Sequence, residues 1–487
     1  MKKQLKYIII FCLGLVMVTS CKRELLSPIP QTFVVDLTAF ETAARVANQV
    51  TGLYQTFKSG AFYGGRAQIA GDIRAEDFIN ETTNGVTGYD VWFLNATGTS
   101  QNFIKNLWAQ AYQTINGCNV FIDGMALKGT SVVGAALSNN YLGEARFIRA
   151  ASYFKLLEHY ARPYADGNGS KPGVPLRLTG IKEPGSSPLA RSTVAEVYTQ
   201  IISDLDFAEA NLPLTYSTAA LSTTRAHRNT AIALKTRVFL AMQDYAKVIT
   251  EANKIVAQNT APFSATSGVA HALQANIVNV FRTPYTTTES ILSMPMTSTA
   301  GDNPGTQNQL AYYWSRTPTG VGNGEFSLNT NGIVANTGWT AADARRGFNA
   351  TVSGKLYLNS KYTVASPFTD WAPVIRYSEV LLNLAEALAR TNAGVNVRAL
   401  ALLNAVRQRS DAATILAPLT QTDLINAILL ERRIEFLGEG LRNFDIMRLL
   451  QTIPAKGTVA AKAPSEPGYI WPISADELSL NPLMTDN

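Results

Sequence analysis

The sequence predicts a mostly α-helical protein: a scaffold of helical hairpins of the tetratricopeptide kind, carrying long, irregular loop insertions. Three observations predict it. Apolar residues recur at helical spacing in segment after segment between Phe40 and Leu450. The stretch Ala241 to Ile249 reads as the turn of a helical hairpin, with small residues that let two helices approach and Tyr245 opening the second. Residues 58–100 and 258–373 then abandon the helical period and fill with Gly, Asn, Thr and Ser, while keeping many aromatics.

The elements follow in order. Residues 1–20 read as an export signal: Lys2, Lys3 and Lys6 precede an apolar run from Tyr7 to Val18 that is too short to span a bilayer. Val18, Thr19 and Ser20 lead into Cys21, an aliphatic and two small residues before a cysteine. This pattern resembles a bacterial lipoprotein signal, so Cys21 is the expected acylation site, and 21–39 is its tether. Helices are expected over Phe40–Phe57, Phe103–Met125, Tyr141–Tyr160 and Thr193–Leu212. In the last, Thr193 and Glu196 form a capping box and Pro213 marks the stop. Three helix pairs follow: Asn229–Met242 with Tyr245–Ala257, Val374–Arg390 with Val397–Arg409, and Thr420–Leu437 with Asn443–Leu450. No strict 34-residue period links them, as suits a degenerate scaffold. The expected organisation is a helical region 40–257 with a variable loop at 58–100, then a region 258–487 with a variable lobe at 258–373.

Composition narrows the class. Of 487 residues 46% are apolar and only 16% charged, which excludes a disordered chain and a coiled coil. The length suits roughly three domains of about 150 residues, or one large one. The net charge of +6 falls to +3 once the three signal lysines are removed, and the remaining basic residues are interspersed with acids. That disfavours a nucleic-acid partner. With Cys12 in the signal and Cys21 acylated, Cys118 has no disulfide partner and reads as a small core residue.

Catalytic signatures are missing. His159, His227 and His271 lack metal-ligand spacing, and no zinc, calcium, nucleophile-elbow or phosphate-loop motif occurs, so no cofactor or metal is expected. Gly320 to Gly324 reads as a flexible loop. Asp204 and Asp206 point to different helix faces and read as solvated. Glu76 and Asp77 lack a second acidic cluster as partner for glycoside hydrolysis. Glu379, Asn383, Glu386 and Arg390 form one polar helix stripe, and Glu431, Arg432, Arg433, Glu435, Arg442, Asp445 and Arg448 read as an ion network.

Several ordered blocks resemble the SusD/RagB family of Bacteroidetes outer-membrane lipoproteins. They are Gly143–Phe154 with Gly173–Leu176, Arg191–Tyr198 with Asn211–Pro213, Val374–Leu388, Leu403–Arg409, Glu431–Arg448, and Tyr469–Ile473 with Asn481–Pro482. The resemblance implies a non-enzymatic, lipid-anchored binding protein of the cell outer membrane, facing outward. It also implies an oligosaccharide ligand and a partner transporter of the TonB-dependent, SusC-like class. A RagB-like peptide binder is the alternative within that class; a lipoprotein glycosidase and a purely structural helical adaptor are the rivals outside it.

Sugar faces stack on aromatic rings. The expected ligand-binding residues are therefore Tyr89 and Trp92 in the first insertion and Tyr312, Tyr313, Trp314 and Trp339 in the second, with Trp92 and Trp314 on one shared surface. Trp371, beside the Val374 helix, is assigned to packing, as is Trp108 beside Tyr112.

Overall fold

The computed structural model describes residues 36–487 except Pro184 and Ser186. The export signal, Cys21 and most of the tether lie outside the described residues. The principal helices are α1 (Ala43–Phe57), α2 (Arg66–Ile73), α3 (Asn106–Gly124), α4 (Ala135–Tyr160), α5 (Val194–Asn211), α6 (Arg228–Ala241), α7 (Tyr245–Ala252), α8 (Tyr377–Thr391), α9 (Val397–Ser410), α10 (Gln421–Glu435) and α11 (Arg442–Arg448). Apart from α2 and α11 they stack in chain order: α1 on α3, α3 on α4, α4 on α5, α5 on α6, α6 on α7, α7 on α8, and α8 on both α9 and α10. The fold is thus mostly helical and hairpin-stacked, as the periodicity predicts.

Local chemistry sets the helix ends. Thr193 accepts from the Glu196 backbone while the Glu196 carboxylate accepts from the Thr193 N–H, so the predicted capping box opens α5. Val194, Val197, Tyr198, Ile201 and Leu205 form its buried stripe. Thr420 and Asp423 form the same device at α10.

Strand is confined to six short pieces among the described residues: β1 (Phe78–Asn80), β2 (Ser290–Met294), β3 (Phe326–Leu328), β4 (Ala350–Val352), β5 (Lys355–Tyr357) and β6 (Ala372–Arg376). β1 pairs antiparallel with β3 and so ties the first insertion to the second. β2 pairs with β6, and β4 with β5.

Four expectations change. Val374 to Arg376 belong to β6, and helix α8 starts only at Tyr377. Pro373 and the β-branched Val374 and Ile375 favour an extended chain there. Helix α7 ends at Ala252, where the N–H groups of Ile255 and Val256 both turn back to the Ala252 carbonyl. Residues 58–100 hold a helix, α2, whose eight residues are all buried, polar ones included. A helix without a polar face has no amphipathic period to detect. Asp204 is buried, taking the Arg149 fork at 2.7 and 2.8 Å, whereas Asp206 is exposed.

The Gly320–Gly324 loop is also packed more tightly than a flexible loop would be. A Cβ at Gly322 would lie 2.0 Å from the Ala311 carbonyl oxygen. Cys118 is free and buried, and burial pushes its thiol up to about 12. Trp108 is buried against Tyr112 at 5.0 Å.

The segment 258–373 is keyed to the last helices by charge. Glu289, Asp343, Glu431, Glu435 and Glu439 interlock with Arg345, Lys361, Arg376, Arg407 and Arg409, all buried. A second set joins Arg448 to Glu386 and Asp445 at 2.7 and 2.8 Å, with Arg432 on Asp445 at 2.9 Å.

Candidate ligand-binding face

Four of the six aromatics expected on the surface are in the core. Trp92 is 4% exposed, Tyr313 and Trp314 are 0%, and Trp339 is 2%. Trp92 and Trp314 do converge, but inside: the Trp92 indole N–H donates to the Phe78 carbonyl at 2.8 Å, and the Trp314 ring lies 4.3 Å from the Phe78 ring. The short β1–β3 ladder sets Phe78 and Phe326 into one small core, and Tyr313 stacks parallel to Phe326 at 6.1 Å. Trp339 is covered by the Arg346 guanidinium at 4.4 Å. None of these four rings offers a face to solvent, which corrects the expectation of an open platform built from them.

Tyr89 and Tyr312 are half-buried. Tyr89 packs beside Trp92 and Phe93. Tyr312 belongs to a ring cluster that sequence reasoning missed. Its ring meets Phe368 edge-on at 5.9 Å. Three residues on, Trp371 stacks on Tyr285 at 5.3 Å with 17° between the planes. Phe368 and Trp371 are half-buried, and among the described residues Trp371 is the one tryptophan that is not buried. The sequence assigns it to packing because it adjoins the predicted Val374 helix. Strand β6 instead separates it from α8 and leaves it at the edge of the lobe.

The backbone holds these rings in unusual places. Tyr285 and Phe368 have φ of 64° and 60°, a left-handed conformation that bulky side chains rarely adopt. Such residues cost about 1–3 kcal/mol each and persist only where the surroundings fix them. Both close tight turns, Tyr285 N–H to the Arg282 carbonyl at 2.7 Å and Phe368 N–H to the Ala365 carbonyl at 2.9 Å. Asp370 braces the cluster by accepting the N–H groups of Thr363 and Val364 at 3.0 Å and the Tyr285 hydroxyl at 3.5 Å. Burial raises its carboxyl above the usual range. The sequence signal that could have found the face is the Pro-aromatic pair, Pro284-Tyr285 and Pro367-Phe368, each placing a ring at a turn.

Polar groups of side chain and backbone border Tyr312. Gln307 donates to its hydroxyl at 3.3 Å, and the Asn323 N–H donates to its carbonyl at 3.0 Å. Buried Glu325 collects Thr82, Thr87 and Asn323. Arg66 reaches the carbonyls of Val86, Asn102 and Gln307. The first insertion therefore supports the second from below.

The acids weighed as catalysts are engaged by guanidinium groups. Burial alone would raise Glu76, yet Arg442 and then Arg433 hold its carboxyl below the usual range. Asp77 takes the Arg433 fork, Glu379 takes Arg237, and Glu386 takes Arg448 and Arg390. Among the described residues no cluster of His, Cys, Asp and Glu could hold a metal ion, and no helix is long and apolar enough to cross a membrane.

Comparison with known proteins agrees with this architecture. The family model described as the SusD family matches residues 312–487, and one described as starch-binding and associating with the outer membrane matches residues 28–240. SusD-like protein P2 of Formosa agariphila is 25% identical, over 91% of this chain and 90% of its own. A SusD superfamily structure from Bacteroides fragilis is 31% identical with a TM-score of 0.80, covering 92% of this chain and all of that one. Surface glycan-binding protein A of Bacteroides thetaiotaomicron, solved with laminarihexaose, shares the fold at a TM-score of 0.72 and 16% identity, over 92% of this chain and 99% of its own. Two family models in register with the two halves of a helical stack, and one solved relative matched along its whole length, place the chain in the SusD family.

Proposed function

We propose that the protein is an outward-facing lipoprotein of the outer membrane. It binds an oligosaccharide and delivers it to a partner transporter of the TonB-dependent, SusC-like class. The observation that carries the binding step is the group of half-buried rings Tyr312, Phe368 and Trp371, with Trp371 backed by the buried Tyr285. Sugar C–H faces stack on such rings, while neighbouring amides such as Gln307 and Asn323 bond hydroxyls. The outer-membrane association of the matching family and the glycan complex of a fold neighbour support this reading. Acylation of Cys21 supplies the anchor.

The test is calorimetry against a glycan that the parent binds. One stacked ring contributes about 1 kcal/mol, so Trp371→Ala weakens binding about five- to tenfold at an unchanged melting temperature. Trp92→Ala lowers the melting temperature instead, because it opens a core cavity. If Trp371→Ala binds with parental affinity, the face is not the platform.

A further inference from the structure

A second opening lies beside the β1–β3 ladder. It is a cleft of about 600 Å³ between Glu76, the Asn329–Asn336 loop, Arg433 of α10 and the Pro454–Gly457 turn. Its walls are fixed. Asn329 donates to the Glu76 carbonyl at 2.7 Å and accepts the Asn331 N–H at 3.0 Å. The Ile333 N–H donates to Asp77 at 2.8 Å. A Cβ at Gly332 would stand 2.8 Å from the same Asp77 oxygen, so only glycine lets the loop come this close. Arg433 is fixed by its fork on Asp77.

Within this rigid frame several polar groups are left over. The Asn331 amide, the Nδ2 of Asn336 and the Nη1 of Arg433 have no partner among the described residues, although Asn336 Oδ1 accepts the Gly338 N–H at 2.9 Å and the rest of the Arg433 fork is used. Two planar amides and the edge of a fixed guanidinium, lining one cleft, are the groups that bond adjacent hydroxyls. Glu76 and Asp77 are balanced by Arg433 and Arg442, and Lys456, also in the lining, has its Nζ turned onto the carbonyls of Ile73, Arg74 and Ala75, so no unpaired carboxylate or guanidinium charge faces the cleft. The volume falls within the range of small-molecule sites. No aromatic side chain lines the cleft. Its occupant is gripped by its hydroxyl edge, in contrast to the ring faces at Trp371.

We propose that this cleft is a second saccharide site, which binds a neutral sugar unit through its hydroxyls; it rests on the glycan reading of the protein. The experiment is calorimetry of maltohexaose, laminarihexaose, xylohexaose and an oligogalacturonate against three proteins. They are the parent, the double variant Asn331→Ala with Asn336→Asp, and Trp371→Ala. Asn336→Asp keeps the acceptor for Gly338 and turns the free donor into a charged acceptor, and Asn331 is exposed, so both preserve the fold. For a neutral glycan that the parent binds, the double variant weakens one class of site about tenfold, and Trp371→Ala weakens the other. A single class weakened by both variants is also support, as one chain then spans both places. A double variant with parental stoichiometry and affinity, beside a Trp371→Ala protein that loses binding, overturns the cleft and leaves the glycan reading standing. Binding of the oligogalacturonate alone overturns the neutral assignment. A parent that binds none of the four overturns both.

Discussion

Replacing Glu435 by glutamine tests how the lobe is held. Glu435 is buried at the centre of the five-acid, five-base network. One of its oxygens accepts from Arg376 at 2.8 Å and Arg409 at 2.5 Å, and the other accepts from Arg345 at 2.9 Å. Burial alone would raise its carboxyl, but the three arginines hold it far below the usual range. Glutamine has nearly the same shape. It removes the charge and turns an N–H₂ group toward guanidinium donors, of which Arg376 and Arg345 keep Glu289 and Glu431 while the Arg409 Nη2 loses its one acceptor among the described residues. Breaking a buried pair from one side costs about 3–5 kcal/mol.

For roughly 450 folded residues an unfolding entropy of about 0.95 kcal/mol/K converts this to about 3–5 °C in Tm. If the lobe loosens ahead of the rest, proteolysis within 258–373 accelerates by more than that shift implies. The assay is scanning calorimetry with limited proteolysis, repeated across pH. The carboxyl is lower when folded than its unfolded value of about 4.3, so its contribution is present above that value and is lost as pH falls further. The gap between parent and Glu435→Gln therefore narrows in acid. Equal melting temperatures and equal cleavage at neutral pH, or a gap that widens on acidification, refute the argument.

Mass spectrometry of membrane-extracted protein should find an acylated N-terminal Cys21, and Cys21→Ala should move the protein to the soluble fraction. Outer membranes solubilised in mild detergent should yield the protein together with a barrel of the TonB-dependent class; repeated isolation without one counts against delivery. Burial lowers His271 to about 4 and His227, with help from His271, to about 3, the two rings stacking at 5.2 Å. The folded state favours the neutral rings, so stability falls as pH drops below about 6.5, by about 3 kcal/mol for His271 near pH 4. His271→Phe should flatten that part of the denaturation-midpoint profile.

Much of the scaffold was legible because helices that bury one face write their period into the sequence. The capping box at Thr193 and the buried stripe of α5 were readable to the residue. Helix α2 was not, since its Arg66, Gln68 and Asp72 are as buried as its alanines. Asp204 was misread because its partner, Arg149, sits on a helix 55 positions earlier, and spacing along one helix says nothing of its neighbour. The ring face was misplaced for a related reason. Aromatic density marks a region with much to bury, and burial is the commoner fate of a large ring. The rings left half-buried are Tyr312, Phe368 and Trp371, set by turn geometry at Phe368 and at the buried Tyr285 behind Trp371, which no count of aromatics reveals.

The ion network and the ring face form one arrangement. Stacking on a sugar demands rings held in fixed orientation, yet the lobe that carries them has little regular structure to stiffen it. Apolar packing against the helices stabilises contact but tolerates sliding. A lattice of ten buried charges does not, because only one arrangement pairs each of them, and any slip leaves a charge desolvated and alone. Arg376, the last residue of β6, illustrates the coupling. Its guanidinium bonds Glu289, Glu435 and Glu439, while its strand runs back five residues to Trp371. The half-buried tryptophan is thereby referenced to α10 through a short strand and one fully paired cation. Disturbing Glu435 should for that reason weaken glycan binding at Trp371 even where the protein remains folded, although no atom of Glu435 reaches the ring face.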